Sequence, residues 1–446
     1  MVLFELLRLA CHHHYKIHPM LPSFPDINIP AQQAECLGAL RSAWQGLEQT
    51  DADIAHALTH PLWPDGRTGS LFDGMMPGER TCLVVSDQTR KTCVHRILPL
   101  LISTLKRRGF DLKDCFILVA TGIHRPPTTE EIRSILGLEA ASQFEGRIFS
   151  HEPDREDQLS EVGTTRSGHP VRINSLAVKA DRLILLGAAT YHYHAGFGGG
   201  RKSIVPGLAA RATIAYNHSL TLDPQADRIR PGVDIGRMIG NPVAEEMLES
   251  ARFCDPDFIV NTVLTPDGKL AGVFAGDLEL AHQAACRLVE IIDRLPIPQA
   301  ADFVIASAGQ AANWIQSHKA LFNAHRAIRP GGRIILWAPC PEGLGNDRFR
   351  HWVTRPTLKD IYDGLRQHPE VNGQTALSTR ARGERALLIT TLSKADCQDL
   401  RLRTAPDMPA AIRTTLAALA AEGVTRPTYY VMPEALSLAP FPAGQP

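Results

Sequence analysis

The segment of the chain between Tyr191 and Ser219 concentrates side chains that bind ligands or transfer protons. It contains three histidines, a run of three glycines at 198–200, and a lysine, Lys202, next to Arg201. Glycine lets the backbone approach a ligand closely, and imidazole binds metals and exchanges protons near neutral pH. A deprotonated lysine is a nucleophile, and a cationic neighbour lowers its pKa. These residue types share no structural purpose, so the segment predicts a cofactor site.

Predicted strands position this segment and two other polar clusters. The segment follows residues 182–189, a short apolar run that predicts a buried parallel strand. Two earlier apolar runs, 82–85 and 116–120, lead into polar clusters at 86–90 and 121–125. In open α/β sheets ligands bind outside the carboxyl ends of the strands. We therefore expect the three clusters to face one crevice.

A fourth cluster of this kind occurs much later in the chain. The apolar run 303–307 leads into Gln316 and Lys319, which share a face if this segment is helical. A proline-bearing break at 295–299 precedes it and follows an amphipathic run at 280–292. We interpret the break as a domain linker.

The length and the alternation of strands and helices predict the domain organisation. A chain of 446 residues has room for two or three domains. Strands predicted at 333–337 and 386–390, with a helical run between them, continue the alternation beyond the break. We therefore predict an α/β fold with domains at 1–296 and 297–446. Residues 1–20 are expected to be disordered, and the proline-rich tail to fray or to pack on the first domain.

The composition excludes several classes of protein. The chain has 47 basic and 47 acidic residues and no basic stripe, which argues against nucleic-acid binding. It has no run of about 18 apolar residues that would span a bilayer. The nine cysteines are scattered and form no C-x-x-C pair, which is typical of reduced core residues in a cytoplasmic protein.

The glycine run does not match the two common nucleotide-binding motifs. A P-loop requires glycine directly before lysine, whereas Arg201 separates Gly200 from Lys202. A dinucleotide fingerprint requires a third glycine at position 201 or 203, where the chain has Arg201 and Ser203. The glycine run therefore belongs to neither motif.

A zinc hydrolase is an open alternative. His192 and His194 have a spacing that zinc ligands use. Acidic residues, which usually orient such ligands, are absent from 191–222. This weakens the zinc interpretation without removing it.

A set of short motifs resembles the nickel-dependent lactate racemase family. The motifs are Ser86-Asp87-x-Thr89-Arg90, Gly122-x-His124-Arg125, His192 ten residues before Lys202, Gly-Gly-x-Lys followed by Pro206-Gly207, Thr213-Ile214-x-x-Asn217-His218, and Gln316-x-x-Lys319. They occur in the family's order from about residue 80 to 320, and Glu342-Gly343-x-Gly345 and Trp352 extend them. Each motif alone has little specificity, whereas the set is specific.

The resemblance implies a fold and a cofactor. Members of this family have two α/β domains with the active site in the cleft between them. They use a nickel-pincer nucleotide, a pyridinium mononucleotide with two sulfur arms that hold Ni(II), which separate maturation enzymes make. By resemblance, Lys202 forms the covalent link to this cofactor and His218 is the protein ligand to nickel. Asp87, Gln88, Thr89 and Arg90 match the segment that holds the nucleotide portion.

The resemblance also implies the reaction. His124 and His192 match the catalytic pair of a racemase, which needs a proton-transferring group for each enantiomer of a 2-hydroxy acid. The hydroxyl proton goes to one histidine while the C2 hydrogen leaves as hydride to the cofactor, through a keto-acid intermediate. Arg90, Gln316 and Lys319 bind the substrate carboxylate. We expect a structural role for His194, which has no counterpart in the family.

Some residues depart from the family pattern and leave two questions open. Lys91 follows the Thr-Arg pair where the family usually has proline, and the residues around Tyr193 differ from a lactate-specific site. The identity of the 2-hydroxy acid therefore stays open. A nickel- or nucleotide-binding protein without turnover is the other alternative, although such a carrier has no use for both His124 and His192.

Overall fold

The computed structural model describes residues 24–25, 27–64, 66, 69–70 and 72–443. The stretch expected to be disordered, residues 1–20, lies outside them. In the part of the chain that is described, no helix is both long and apolar enough to cross a membrane.

Strands and helices alternate through most of the chain, which confirms the predicted α/β class. The strands are β1 Glu35–Ala39, β2 Thr81–Ser86, β3 Cys115–Ala120, β4 Ile148–Ser150, β5 Leu159–Thr164, β6 Pro170–Asn174, β7 Arg182–Ala188, β8 Tyr191–His192, β9 Gly196–Phe197, β10 Phe258–Leu264, β11 Leu270–Gly276, β12 Arg294–Ile297, β13 Ala301–Ser307, β14 Ile328–Trp337, β15 Ala386–Ile389, β16 Arg403–Thr404, β17 Thr428–Met432 and β18 Ala439–Pro442. The α-helices are α1 Asp51–Thr59, α2 Val94–Arg107, α3 Thr129–Leu136, α4 Leu138–Gln143, α5 Ser175–Val178, α6 Arg211–Ser219, α7 Pro242–Arg252, α8 Leu280–Asp293, α9 Trp314–His325, α10 Asp347–Val353, α11 Leu358–Gln367, α12 Val371–Gly383, α13 Lys394–Leu400 and α14 Met408–Ala421.

The first six-stranded sheet has the order β11-β10-β7-β2-β3-β4. Its strands are parallel except β11, which runs antiparallel to β10. Alternate side chains of β2 enter different cores, because Leu83 and Val85 pack on one face and Cys82 and Val84 on the other. This burial on both faces explains why the strand reads as a continuous apolar run. Strands β7, β2 and β3 are adjacent and parallel, so the polar clusters that follow them leave the sheet at one edge.

The second six-stranded sheet is entirely parallel, in the order β1-β17-β13-β14-β15-β16. It has its own cores, which helices α9, α12 and α14 help to cover. One member was not expected, because β1 at the beginning of the described chain pairs with β17 near its end. The division at residues 296 and 297 stays a prediction.

The expected linker contains a short strand. Strand β12 pairs in parallel with β18 of the tail. The ring of Phe441 in β18 lies 6.2 Å from that of Tyr191 and 4.5 Å from the Arg326 guanidinium. The tail is therefore packed against β12 and lies next to Tyr191 of β8 and Arg326, which follows α9.

Candidate active site

The glycine run forms a tight turn between β9 and α6. Gly199 has a φ of +77°, and a Cβ atom there would lie 2.4 Å from Asn261 Oδ1 and 2.8 Å from the Ala188 carbonyl oxygen. Only glycine fits this position. Asn261 Oδ1 accepts the Gly200 N–H at 2.9 Å, and Nε2 of His282 lies 2.8 Å from the Gly198 carbonyl oxygen.

Asn261 and His282 were not identified from the sequence. A signal existed for Asn261, since it is a polar residue within the apolar strand β10. No local signal marked His282, because helix α8 contributes it from a distant part of the chain.

Lys202 lies in the short 3₁₀ turn that follows the glycines. Its pKa is well below the usual lysine value, first because of burial and then because of the nearby charges of Arg90, Arg201 and Lys319. Both causes favour the neutral amine, which is the nucleophilic form.

Arg201 is fully buried, with 1% of its surface exposed. Its guanidinium donates to the carbonyl oxygens of Ala195 at 2.7 Å and Ala244 at 3.2 Å. Arg201 therefore fastens residues 191–203, the candidate catalytic loop, to α7 while it adds positive charge beside Lys202.

His218 lies in the last turn of α6, with 7% of its surface exposed. Its Nδ1 is 2.8 Å from the Ile214 carbonyl oxygen, so Nδ1 carries the proton and donates it. Burial, followed by the charge of Lys202, lowers its pKa to about 4. The ring is therefore neutral at physiological pH, and Nε2 has a free lone pair. A hydrogen bond from Nδ1 to a carbonyl oxygen, which leaves Nε2 for the metal, is typical of metal-binding histidines.

His124 and Asp87 form a close pair. Nδ1 of His124 lies 2.6 Å from Oδ2 of Asp87, while Oδ1 of Asp87 accepts from the Thr89 N–H at 3.0 Å and the Thr89 hydroxyl at 2.6 Å. Burial opposes ionisation of Asp87, but the hydrogen bond and charge of His124 outweigh it, and the pKa of Asp87 is lowered. The carboxylate is only 3% exposed, and both of its oxygens already have hydrogen-bond partners in the chain.

His192 has the opposite tautomer. Its Nδ1 accepts two backbone hydrogen bonds, from His194 N–H at 3.2 Å and Ala195 N–H at 3.1 Å. The neutral ring therefore carries its proton on Nε2. Burial lowers its pKa well below the usual value, and the charges of Lys202, His194, Arg90 and Lys319 lower it further. His192 is thus a neutral hydrogen-bond donor through Nε2.

The residues predicted to bind a carboxylate lie on two elements. Gln316 and Lys319 are on α9, as predicted, and Asn313 caps this helix by accepting the Gln316 N–H at 3.2 Å. Burial, followed by the charge of Arg90, lowers the pKa of Lys319 to about 8. Gln316 Oε1 accepts the Ala312 N–H at 3.0 Å, which leaves its amide NH₂ free to donate to a ligand. Arg90 has no ion-pair partner among the described residues.

The predicted site residues largely come together. Arg90, His192, Lys202 and Lys319 act on one another electrostatically, and Arg90 also acts on Asp87. Apart from Asp87, the interacting groups are cationic or neutral, which is typical of a site for anions. No group of three His, Cys, Asp or Glu side chains that would hold a metal occurs within the described residues. The three-ligand centre that a zinc hydrolase requires is thus not seen in them.

Three aromatic side chains beside this cluster were not predicted to be functional. The ring of Tyr193 lies 5.1 Å from that of His192 and 5.3 Å from that of His318. His194 is buried and acts electrostatically with His218 and Lys202. No sequence pattern identified His318, whose approach to Tyr193 depends on the packing of α9 against the catalytic loop.

Known proteins resemble the chain in sequence and structure. Residues 25–229 match the family model of the lactate racemase N-terminal domain. The lactate racemase of Lactiplantibacillus plantarum is 34% identical over 314 residues, which cover 70% of each chain. The lactate racemase of Thermoanaerobacterium thermosaccharolyticum is 34% identical over 331 residues, which cover 73% of this chain and 74% of that protein.

Two solved structures have the same fold. The lactate racemase apoprotein from T. thermosaccharolyticum superposes with a TM-score of 0.80 and 26% identity, covering 93% of this chain and 97% of that one. A protein from Thermotoga maritima superposes with a TM-score of 0.63 and 19% identity, covering 86% and 100%, and indicates the fold alone. On these similarities, the chain belongs to the lactate racemase family of isomerases.

Proposed function

We propose that the protein racemises or epimerises a 2-hydroxy acid with a nickel-pincer nucleotide attached to Lys202 and ligated by His218. The observation that carries this proposal is the pairing of two nitrogens with available lone pairs in one buried cluster. The environment of Lys202 favours its free amine, and His218 presents Nε2 while Nδ1 is fixed by Ile214. A primary amine suits a covalent link, and a neutral imidazole suits nickel.

The chain also offers groups for the nucleotide portion of this cofactor. Gln88 Oε1 is buried without a hydrogen-bond partner, and Arg90 is exposed and has no ion pair within the described residues. Together with the Thr89 hydroxyl, they suit ribose and phosphate oxygens. When bound, the cofactor supplies an acceptor for the C2 hydrogen of the substrate as a hydride.

His124 is the base for the substrate hydroxyl. Asp87 holds its Nδ1–H, so Nε2 is free to take a proton, and the carboxylate stabilises the imidazolium that forms. His192 donates a hydrogen bond from Nε2–H to the substrate oxygen. Its action as the second base requires the proton on Nδ1, so the backbone hydrogen bonds from His194 and Ala195 must then break.

Arg90, Lys319 and the Gln316 amide hold the substrate carboxylate. A guanidinium fork, an ammonium group and an amide donor fix the orientation of the acid, so that C2 faces the catalytic histidines. The relatives are named lactate racemases, and a 2-hydroxy acid is the class of substrate that these groups recognise.

We further infer that maturation enzymes supply the cofactor and that the protein works in the cytoplasm. The eight cysteines of the described residues are all free, which fits a reducing compartment. A carrier that only bound the cofactor would need Lys202 and His218. It would have no use for the Asp87–His124 pair, and this pair favours an enzyme.

Native mass spectrometry and nickel analysis test the proposal on protein made together with the cofactor-synthesis enzymes. We expect a covalent mass increment and nickel in the wild type, and racemisation of single enantiomers of 2-hydroxy acids. Denatured Lys202→Ala protein should lack the increment, while a Lys179→Ala control should retain it. A full increment on Lys202→Ala protein would refute the lysine assignment. Matured protein that turns over no 2-hydroxy acid would favour the carrier.

A further inference from the structure

A cavity of about 670 Å³ lies between the catalytic loop and the helices of the second sheet. Tyr193 and His194 of the loop line it on one side, and Phe322 of α9 and Gln374 and Arg382 of the α12 region line it on the other. This volume is within the range of roughly 300–1,000 Å³ that is typical of small-molecule sites. It is larger than the space that a three-carbon acid fills.

Arg382 places an unneutralised positive charge in this cavity. Its NH1 donates to the hydroxyl and the carbonyl oxygen of Ser378, at 3.2 and 3.4 Å, and its guanidinium lies 4.5 Å from the centroid of the Phe322 ring. No carboxylate of the described chain lies within ion-pair distance of it. Asp234, which acts on it electrostatically, forms its own ion pair with Arg326 at 3.0 Å.

Burial lowers the pKa of Arg382 to about 10, so the guanidinium stays charged at neutral pH. A largely buried charge without a partner is costly, and an anionic ligand removes that cost. Three other arginines line the cavity, Arg326, Arg329 and Arg385, and each already has a carboxylate partner. The one uncompensated guanidinium fork therefore matches a single carboxylate, whereas a phosphate dianion would require a second free cation.

Gln374 adds an unused acceptor to the same cavity. This residue is 1% exposed, and its Nε2 donates to the His218 carbonyl oxygen at 3.2 Å. Its Oε1 is buried without a hydrogen-bond partner in the part of the chain that the structure describes. Since a buried carbonyl needs a donor, a ligand hydroxyl would satisfy it.

The cavity adjoins the catalytic cluster through Tyr193 and His194. The pKa of His194 is lowered by burial first, and then by His218, Arg382, His318 and Lys202. His194 is therefore near the cofactor-binding groups as well as the unpaired guanidinium. Tyr193 likewise interacts electrostatically with Arg382 and with Arg90 of the carboxylate site.

We propose that this cavity binds the distal end of the substrate, with a second carboxylate on Arg382 and a chain hydroxyl on Gln374. The inference rests on the proposed function and specifies the class of 2-hydroxy acid that the enzyme would accept. The substrate class is then a 2-hydroxy acid with a hydroxylated chain and a carboxylate at the far end. His194 and Tyr193 form the wall along which this chain passes.

Steady-state kinetics of the matured holoenzyme test the substrate class. The probes are single enantiomers of lactate, malate, 2-hydroxyglutarate and glucarate. We expect kcat/KM to be highest for a dicarboxylate, and its ratio to the lactate value to fall at least roughly tenfold in Arg382→Gln. Arg380→Gln, on the same helix but outside the cavity, should change this ratio less than about twofold. Preference for lactate, or an unchanged ratio in Arg382→Gln, would overturn the inference.

Calorimetric titration of protein made without the maturation enzymes separates this inference from the proposed function. The preferred dicarboxylate should bind the wild type, with a Kd at least roughly tenfold weaker in Arg382→Gln. Arg382→Lys retains the charge but not the planar guanidinium. It is the control for misfolding of Arg382→Gln, and it should bind the dicarboxylate with intermediate affinity. Arg382-dependent binding without turnover of any probe would refute the proposed function only. Racemisation of lactate with equal dicarboxylate binding by all three proteins would refute the cavity assignment only.

Discussion

The Nδ1 atom of His124 lies 2.6 Å from Oδ2 of Asp87, although the two residues are 37 positions apart in the chain. Strands β2 and β3 are adjacent and parallel, so the loops that follow them leave the sheet side by side. The pair fixes the Nδ1–H tautomer of His124, while two backbone N–H groups fix the opposite tautomer in His192. The two histidines therefore present different ring nitrogens as the protonated one.

Asp87→Asn should lower kcat by roughly 10²–10⁴, close to the effect of His124→Ala, because the amide neither fixes the Nδ1–H tautomer nor stabilises an imidazolium. Nickel content should stay near the wild-type value. Glu131→Gln is the matched control, since it breaks the neighbouring exposed ion pair with Arg125 and should leave kcat within about twofold. Full activity of Asp87→Asn in both directions would contradict the assignment.

His218→Ala should weaken nickel binding by more than roughly tenfold while the mass increment on Lys202 remains, because only the metal ligand is removed. Metal analysis and mass spectrometry of the same sample measure the two properties. His194→Ala serves as the comparison, since its ring is a close neighbour of the cluster but is not assigned as a ligand. Equal nickel loss in both variants would show that His218 is not the specific ligand.

Substrate capture should decline at alkaline pH because of Lys319. Its pKa is lowered to about 8, so the ammonium group that we propose binds the carboxylate is present below that pH and is lost above it. We expect kcat/KM to fall above pH 8 by up to about tenfold per pH unit. In Lys319→Arg the fall should move to a higher pH, since guanidinium stays charged. Measurement of kcat/KM from pH 7.5 to pH 9.5 checks this expectation. A wild-type value that does not change with pH over this range would contradict the role of Lys319.

Asp293 should make the protein less stable at alkaline pH. Burial, followed by the charge of Glu434, raises its pKa to about 8, and its Oδ1 has no hydrogen-bond partner within the described residues. The folded state therefore holds this proton more tightly than the unfolded state does. The stabilisation is complete below the unfolded pKa and is lost as the pH rises to about 8, by at most about 1.4 kcal/mol per pH unit.

Thermal unfolding of Asp293→Asn and the wild type at pH 5 and pH 9 measures this effect. The variant should gain melting temperature relative to the wild type at pH 9 and much less at pH 5. Both proteins have nearly the same side-chain shape at position 293. An equal difference in melting temperature at the two pH values would therefore show that the titration of Asp293 is not its cause.

The sequence by itself determined the α/β class and six interior strands of the two six-stranded sheets, namely β2, β3, β7, β13, β14 and β15. Apolar runs such as those of β2 and β7 are local patterns, and strands buried on both faces must have them. The position of the polar clusters just after strands predicted one shared edge, because the carboxyl ends of neighbouring parallel strands meet there. Gln316 and Lys319 were expected to share a face if their segment is helical, and both lie on α9.

Only the tertiary structure decided which distant residues complete the site. The pairing of β1 with β17, the support of the glycine turn by His282, and the unpaired Arg382 beside His194 all join segments far apart in the chain. Such contacts depend on how helices and sheets pack, and the local pattern of apolar residues in the sequence does not predict that packing. The tautomers of His124 and His192 also depend on these contacts, because a ring nitrogen takes its proton state from whichever donor or acceptor folding brings to it.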